Sequence, residues 1–563
     1  MAKKRKRKIL LYILAIFVLA IIAFVIYFNI VVRIDPPTEM DPHEMGYTRS
    51  QTDTVFYACE SSWLNLNEYG LWELYIKGNP FELGIINGIL SSELIQAQED
   101  AFVNQIRVMI PSESYLKFLR YFLAWFNKDL DSYISNEYLL EIYGVSAFAS
   151  EDYGFIGPKY HRILNYHAAH DIGHALQNMQ LVECTAFGVW DERSVDSALL
   201  IGRNFDFYVG DAFAKNKIIA FVNPDKGYKF ASVTWAGMIG VVSGMNEKGL
   251  TITLNSAKSE MPFGARTPVS IIAREILQYA SNIEEAMAIA SKCKSFVSES
   301  FLIGSAEDHK AVVIEKSIDH TILYDPDTNF IILTNHFQSD YFNDDELNIE
   351  NLANETSSYR HERVKELLDL HPHIDYHTAA GMLRNKRGKG NKDIGLANEK
   401  AINQLIAHHS VIFIPEEKLF WISTAPYQLG TYLCYNLDTV FAEMSERKSK
   451  TKLYEIQMNI PADTFLFSAE YAHFLHYKEL LIVFQDAINN GDKIDSEEST
   501  VREFISANPE YFHVYSILGQ YYQELENFSE AIKYYNLALS KEVSSADENN
   551  TIRKRLEECM EDQ

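Results

Sequence analysis

Residues Ile9 to Val32 form an apolar run of 24 positions with Asn29 as its one polar interruption. Water cannot solvate such a run, and a helix of about 20 apolar residues spans the hydrocarbon core of a bilayer. Lys3, Lys4, Arg5, Lys6, Arg7 and Lys8 precede it, and Arg33, Asp35, Glu39 and Asp41 follow it. Basic residues stay on the cytoplasmic side, so the expected arrangement is a single-pass membrane protein with a cytoplasmic N-terminus and an extracytoplasmic body. A cleaved signal peptide would have a shorter apolar region and a small-residue cleavage site, and Asn29 to Arg33 offers none. Residues 1–33 therefore read as a basic tail and transmembrane anchor, and Pro36 to Gly46 as a tether.

The body is too long for one core. The chain carries a net charge of −26 in spite of its six N-terminal cations. So acidic a surface repels phosphate backbones and excludes nucleic acid as a partner. None of the five cysteines (Cys59, Cys184, Cys293, Cys434 and Cys559) forms a C-x-x-C pair, so a cysteine zinc site or thioredoxin-like motif is not expected. Residues 47–183 read as a helical N-terminal segment, with Leu71–Tyr75 and Tyr115–Phe126 carrying apolar residues at helical spacing. From Val182 the pattern changes to short apolar or alternating runs, at 181–190, 198–207, 218–223 and 230–235, which predict strands. Residues 241–255 predict a hairpin turning at Asn246–Gly249. Helices are expected at 267–280 and 283–292, then strands at 300–305, 311–316, 320–324, 330–335, 410–414 and 419–424. Strands, two helices and strands again predict two sheets with helices packed outside. The basic stretch 384–395 reads as a solvated loop, with an anion-recruiting lid as its alternative.

Residues 465–563 read as a helical tail. Within 512–545, Tyr515, Leu518, Gly519, Tyr522, Ala531, Tyr535 and Ala538 stand where a tetratricopeptide repeat places its small and aromatic packing residues. One repeat cannot bury its own face, so 470–508 is expected to pack there as a degenerate partner and 551–561 to cap the end. The tail is either a structural appendage or a docking surface for a protein partner.

The chemistry starts at Cys184. A cysteine at the start of a strand is commonly a buried small hydrophobe. Arg203 and Asp206 follow in an otherwise apolar run, where charges are costly to bury unless paired. The guanidinium would favour a thiolate and the carboxylate would hold an amine. Two-residue alternation places Arg203 and Asp206 on opposite faces, so a shared site requires the strand to bend or end between them. Asn255 and Asn335 each close an apolar run and are candidate oxyanion donors.

The ordered set Cys184, Arg203-x-x-Asp206, Asn255, Asn335 and Ser357-x-x-Arg360, with Met245–Leu250 and Thr334–His336, resembles the acyl-CoA:6-aminopenicillanic acid acyltransferase family. More distantly it is similar to penicillin V acylases and bile-salt hydrolases. The resemblance covers about 182–435. It implies an α+β, four-layer αββα N-terminal-nucleophile fold over a catalytic domain at 184–450. It also implies self-cleavage between Glu183 and Cys184, and action on a linear amide such as an N-acyl compound, by hydrolysis or acyl transfer. By position, Cys184 would be the nucleophile and its freed amine the base, with Asp206 holding that amine and Arg203 flanking the thiol. Asn255 and Asn335 would serve the oxyanion, and Arg360, rather than Arg363, would be the ion-pair or site arginine. No cofactor is implied. Glu183 stands where family members often carry glycine, and the anchor and tail lie outside the family's core, so substrate class does not transfer. The physical chemistry agrees: an N-terminal amine has a pKa of about 7.7–8.0 against about 8.5 for a free thiol, so it can take the thiol proton near neutral pH.

Two alternatives stand beside this reading. One is an uncleaved, membrane-anchored interaction protein that uses its repeat and keeps an inert hydrolase fold. The other is a metal-dependent hydrolase. His167, His170 and His174 share one helical face, and His170-Asp171-x-x-His174 resembles a zinc-protease helix with Asp171 one methylene shorter than the usual glutamate. A helix covering the site, with His161 at its start, is the simpler reading of that stretch.

Overall fold

The computed structural model describes residues 2–110, 112–168, 182–258, 264–443 and 452–563. The chain opens with helix α1 (Ala2–Val31), which is long and apolar enough to cross a membrane and is not buried by the rest of the protein across its apolar window. Four short strands follow: β1 (Ser50–Asp53), β2 (Phe56–Cys59), β3 (Ser62–Leu66) and β4 (Trp72–Gly78). These correct the expectation that residues 47–183 are essentially helical. Leu71, Trp72, Leu74 and Tyr75 fit a helical period and a strand period equally over so short a window. In the fold, alternation wins: Leu74 and Ile76 pack toward helices, and Tyr75 packs toward the other side of the sheet.

The helices expected in this segment begin at Pro80: α2 (Pro80–Met109), α3 (Glu113–Phe126), α4 (Asn136–Ser146) and α5 (Lys159–His167). Asn79 and Glu82 start α2 with a reciprocal capping box, and Pro80 sits in its first turn, where its missing N–H costs nothing.

Strands β5 (Val182–Val189), β6 (Leu200–Phe207), β7 (Ile218–Pro224), β8 (Phe230–Thr234), β9 (Ser243–Asn246) and β10 (Leu250–Ser256) come next. Helices α6 (Val269–Tyr279) and α7 (Ile283–Lys292) precede β11 (Glu299–Ser305), β12 (Lys310–Lys316), β13 (Thr321–Tyr324) and β14 (Phe330–Leu333). Helices α8 (Glu346–Asn354), α9 (Ser357–Leu370) and α10 (Tyr376–Leu383) then lead to β15 (His409–Ile414), β16 (Leu419–Ser423), β17 (Tyr432–Asn436) and α11 (Leu437–Glu443). The tail holds α12 (Ala469–Asn490), α13 (Glu497–Ala507), α14 (Phe512–Glu524), α15 (Phe528–Ser540) and α16 (Ala546–Glu561).

The strands form two sheets. The larger has eleven strands in the order β1-β2-β3-β4-β7-β8-β9-β10-β11-β12-β13, and the smaller has six in the order β14-β5-β6-β15-β16-β17. Both faces of the central strands are covered, and every residue of β6 and β10, polar ones included, is buried. One core joins the sheets, with Phe221, Val233, Leu302 and Val313 against Ala186, Ile201, Val411 and Phe413. A second joins the larger sheet to Ile86, Ile142, Ile163, Ile272 and Ile276 of the helices, and a third joins Phe187, Leu200 and Trp421 to Val364, Leu367 and Leu383.

The residues ahead of Cys184 are not a separate domain. Strand β4 pairs in parallel with β7, from Trp72 opposite Ile218 to Gly78 opposite Pro224. Arg274 of α6 also makes a buried ion pair with Glu141 of α4 at 3.0 Å.

Candidate active site

Cys184 is the third residue of β5. The β5–β6 register places it opposite Phe205, with Glu183 opposite Asp206 and Ala186 opposite Arg203. Strand β6 neither bends nor ends between Arg203 and Asp206, so the expected break is absent. Arg203 shares the inner face with the thiol, and its guanidinium lies 3.5 Å from Cys184 Sγ. Asp206 lies on the opposite face beside Glu183. The two charged groups approach the Glu183–Cys184 bond from its two sides.

Arg203 is fully buried. It donates to Ser243 Oγ at 2.8 Å and to the Leu254 carbonyl. Ser243 Oγ lies 2.8 Å from His409 Nε2, and His409 Nδ1 lies 2.9 Å from His408 Nδ1. Burial and neighbouring cations hold both imidazoles well below their ordinary pKa, so both are neutral. Ser243, His408 and His409 were not foreseen. Ser243 comes from β9, His409 from the start of β15 and His408 from the residue before it, all far from Arg203 in the chain and without local signal.

Asn335 follows β14 and completes the site in the plane of the smaller sheet. Its Oδ1 accepts the Cys184 backbone N–H at 2.9 Å and an Arg360 N–H at 2.9 Å. Its Nδ2 donates to the carbonyl and hydroxyl of Ser256, both at 3.0 Å. Arg360, fully buried on α9, also donates to the Cys184 carbonyl at 2.6 Å and to Thr185 Oγ1 at 2.9 Å. Arg363 turns away and pairs with Glu366 at 2.8 Å. Asn255 lies alongside, but its Nδ2 is engaged by the carbonyls of Leu333 and Thr334 at 3.2 and 3.1 Å. In this state, therefore, neither asparagine amide offers a free N–H to an oxyanion.

Glu183 is also held. Its carboxylate accepts from Thr356 Oγ1 at 3.0 Å and Gln404 Nε2 at 2.8 Å, and lies 3.4 Å from the Arg360 guanidinium. Asp206 is different. It is fully buried, and neither carboxylate oxygen has a hydrogen-bond partner among the described residues. Burial raises its pKa to about 8, against the lowering pull of Arg360. Burial likewise pushes the Cys184 thiol up to about 12, with Arg203 opposing.

A mainly apolar cavity of about 40 Å³ lies near the site, lined by Phe102, Tyr166, Phe207, Phe213, Trp235 and Met238 together with Gln98, Glu99 and His167. Phe207 stacks on Phe205, the strand partner of Cys184. The cavity holds about one water-sized body, and its walls come from both sides of the Glu183–Cys184 bond.

The histidine helix is seen in part. His167 is buried, its Nε2 accepts the Ile239 N–H at 2.9 Å, and its Nδ1 bonds the Ile163 carbonyl at 2.7 Å. Both ring nitrogens are thus engaged. His170, Asp171 and His174 lie outside the described residues. Among those described, no group of three or more His, Cys, Asp or Glu could hold a metal ion. In the 384–395 loop, Arg384 donates to the carbonyls of Gln428, Gly430 and Pro461, Arg387 pairs with Asp393, and Lys392 pairs with Glu542.

The chain resembles several known proteins over part of its length. An uncharacterized protein of Archaeoglobus fulgidus is 24% identical over 267 residues, covering 44% of each chain. Protein dcd1B of Dictyostelium discoideum is 22% identical over 275 residues, covering 46% of this chain and 52% of its own. The chain thus spans about half the length of these curated relatives. Among solved structures, the Caenorhabditis elegans orthologue of N-acylethanolamine-hydrolyzing acid amidase shares 18% identity, with 41% of this chain and 93% of that chain covered and a TM-score of 0.30. A mutant conjugated bile acid hydrolase of Clostridium perfringens shares 15% identity, with 48% and 97% covered and a TM-score of 0.32. Residues 192–415, which begin just after Cys184 and take in Arg203, Asp206, Asn255, Asn335 and Arg360, match the family of acyl-coenzyme A:6-aminopenicillanic acid acyl-transferase.

Proposed function

We propose that this chain is a self-processing amidohydrolase or acyltransferase of αββα architecture in which Cys184 becomes an N-terminal nucleophile. The observation that carries the reading is Asp206, a buried carboxylate beside the Glu183–Cys184 bond whose oxygens have no hydrogen-bond partner among the described residues. A buried acid of this kind is costly unless a cation joins it, and the amine released at Cys184 would be that cation.

In self-cleavage, Cys184 Sγ adds to the Glu183 carbonyl carbon. The carbon–nitrogen bond breaks, the thiol proton passes to the leaving nitrogen, and a thioester links Glu183 to Sγ. Water then adds to the thioester, the carbon–sulfur bond breaks, and the products are a Glu183 carboxylate, a free thiol and a free amine. In turnover, that amine takes the thiol proton and Sγ attacks the carbonyl carbon of the substrate amide. The N-terminal ammonium passes the proton to the substrate nitrogen as the carbon–nitrogen bond breaks, and the substrate's amine leaves. Water or an acceptor amine resolves the acyl-enzyme. The Asn335 Oδ1 that holds the Cys184 N–H can only accept, so serving an oxyanion requires the Asn335 Nδ2 to turn from Ser256. The aromatic cavity supports an apolar acyl group, and its small size in the uncut chain supports admission of substrate only after the flanking segment shifts. Helix α3 supports a membrane setting. Its Tyr115, Phe118, Tyr121, Phe122 and Trp125 are exposed, and Phe28 near the end of α1 stacks on Trp125 at 5.9 Å, as interfacial aromatics do beside a spanning helix.

N-terminal sequencing and intact mass of the purified protein test the reading, with Cys184→Ala alongside. The expected result is a fragment beginning at Cys184 in the wild type and none in the variant. A single uncut chain in both would remove the base and leave the interaction-protein reading, which the closed cavity and raised thiol pKa equally allow.

A further inference from the structure

The C-terminal helices reach the proposed scissile bond through one loop. Residues 394–405 run between the tail and Glu183. On the tail side, buried Asn508, just after α13, grips Leu396 in both directions: its Oδ1 accepts the Leu396 N–H at 3.0 Å and its Nδ2 donates to the Leu396 carbonyl at 2.8 Å. Gly395 lies so close to Tyr511 that an added Cβ would sit 2.4 Å from its backbone nitrogen. Asn398 donates to the Glu542 carbonyl at 2.8 Å, and Lys400 pairs with the Glu542 carboxylate at 2.7 Å. Leu396 and Leu405 belong to the apolar core of the tail itself.

On the site side, Gln404 is 1% exposed. Its Nε2 donates to Glu183 at 2.8 Å and to the Glu399 carbonyl at 3.2 Å. The two hydrogens of one amide therefore tie the loop to the residue whose carbonyl is attacked. The remaining partners of that carboxylate, Thr356 and Arg360, come from the start of α9. Glu183 is pinned from two directions, and one of them is held in place by the tail.

We infer that Gln404 is a positioning residue for the self-cleavage proposed above, and that the C-terminal helices act on the Glu183–Cys184 bond through it. Attack by a neighbouring thiol requires the carbonyl carbon within reach and correctly turned, and small displacements are costly in rate. Fixing the Glu183 side chain fixes the backbone that carries this carbonyl. The tail is thereby part of the maturation machinery as well as any docking surface it provides. The inference rests on that self-cleavage.

The test is a time course of fragment formation, read by intact mass on the full-length protein in detergent. Gln404→Glu is isosteric and sets a carboxylate against the Glu183 carboxylate. It should slow the cut roughly tenfold or more in the wild-type background. It should slow the cut much less in a Glu183→Gln background, where the amide introduced at position 183 donates to the carboxylate introduced at position 404 and the lost bond to the Glu399 carbonyl is the change that remains. A general loss of structure would slow both equally. Asn508→Ala, at the far end of the loop, should slow the cut in wild type and leave it unchanged in Glu183→Ala, and it keeps the question answerable if Gln404→Glu does not fold. Equal rates for wild type and both variants, or equal slowing in both backgrounds, would overturn the inference while leaving self-cleavage standing. An uncut wild type, identical in processing to Cys184→Ala, would overturn both.

Discussion

Asp206 carries a pH signature that can be worked through by sign. A carboxyl in the unfolded chain titrates near pH 3.9, and burial raises Asp206 to about 8 in the uncut fold. Between those values the unfolded chain loses the proton and the folded chain keeps it. The folded state binds more protons, so this residue's contribution to stability falls as pH rises through the window and levels above about 8. In a Cys184→Ala background, which stays uncut, Asp206→Asn keeps the shape and removes the titration. The melting temperature of the double variant relative to Cys184→Ala alone should therefore increase between pH 5 and pH 8. A gap that stays flat, or shrinks, would mean that Asp206 is already ionised and paired before any cut. Arg203 and Asp206 could be singled out as candidates beside Cys184 because charge in an apolar run is anomalous wherever it occurs. Ser243, His409 and Gln404 were not, since polar residues in strands and loops gain meaning only from what the fold brings to them.

Helix packing ahead of Cys184 depends on two glycines. Gly84 of α2 and Gly144 of α4 face each other so closely that a Cβ on Gly144 would lie 2.6 Å from the Ile85 nitrogen, and one on Gly84 would lie 2.1 Å from the Glu141 carbonyl oxygen. Backbone cannot yield there as a side chain can. Gly144→Ala should cost about 1–3 kcal/mol by overpacking in chemical denaturation. Gly381→Ala, in α10 with nothing within 4 Å of its Cβ position, should be neutral or stabilising by helix propensity. Equal effects at the two positions would refute the close contact. Element by element, the strands from β5 to β16 and the helix pair at 269–292 follow the sequence pattern because they are bounded by Gly, Pro or charge and keep one period, whereas β17 was not expected. The strands β1 to β4 escaped because four to seven residues are too few to separate a period of 2.0 from one of 3.6. Helices α8 to α10 escaped because α9 is rich in charge and declares its buried face only weakly.

Across the whole molecule, the expected cut falls within a shared framework. The β4–β7 ladder and the buried Arg274–Glu141 pair join residues on either side of it. The two fragments should therefore co-elute as one particle in native size exclusion and separate only in denaturant. Elution of a lone fragment beginning at Cys184 under native conditions would show that the ladder does not hold. The parallel pairing of β4 with β7 also has a consequence in time. A ribosome delivers β4 long before β7 and the Cys184 thiol long before Gln404, so an emerging chain has the proposed nucleophile in hand while its partners are still unmade. If the scissile bond is set only when 394–405 has docked on the tail, truncated or stalled products cannot activate, and a cut chain is one whose synthesis ran to the end.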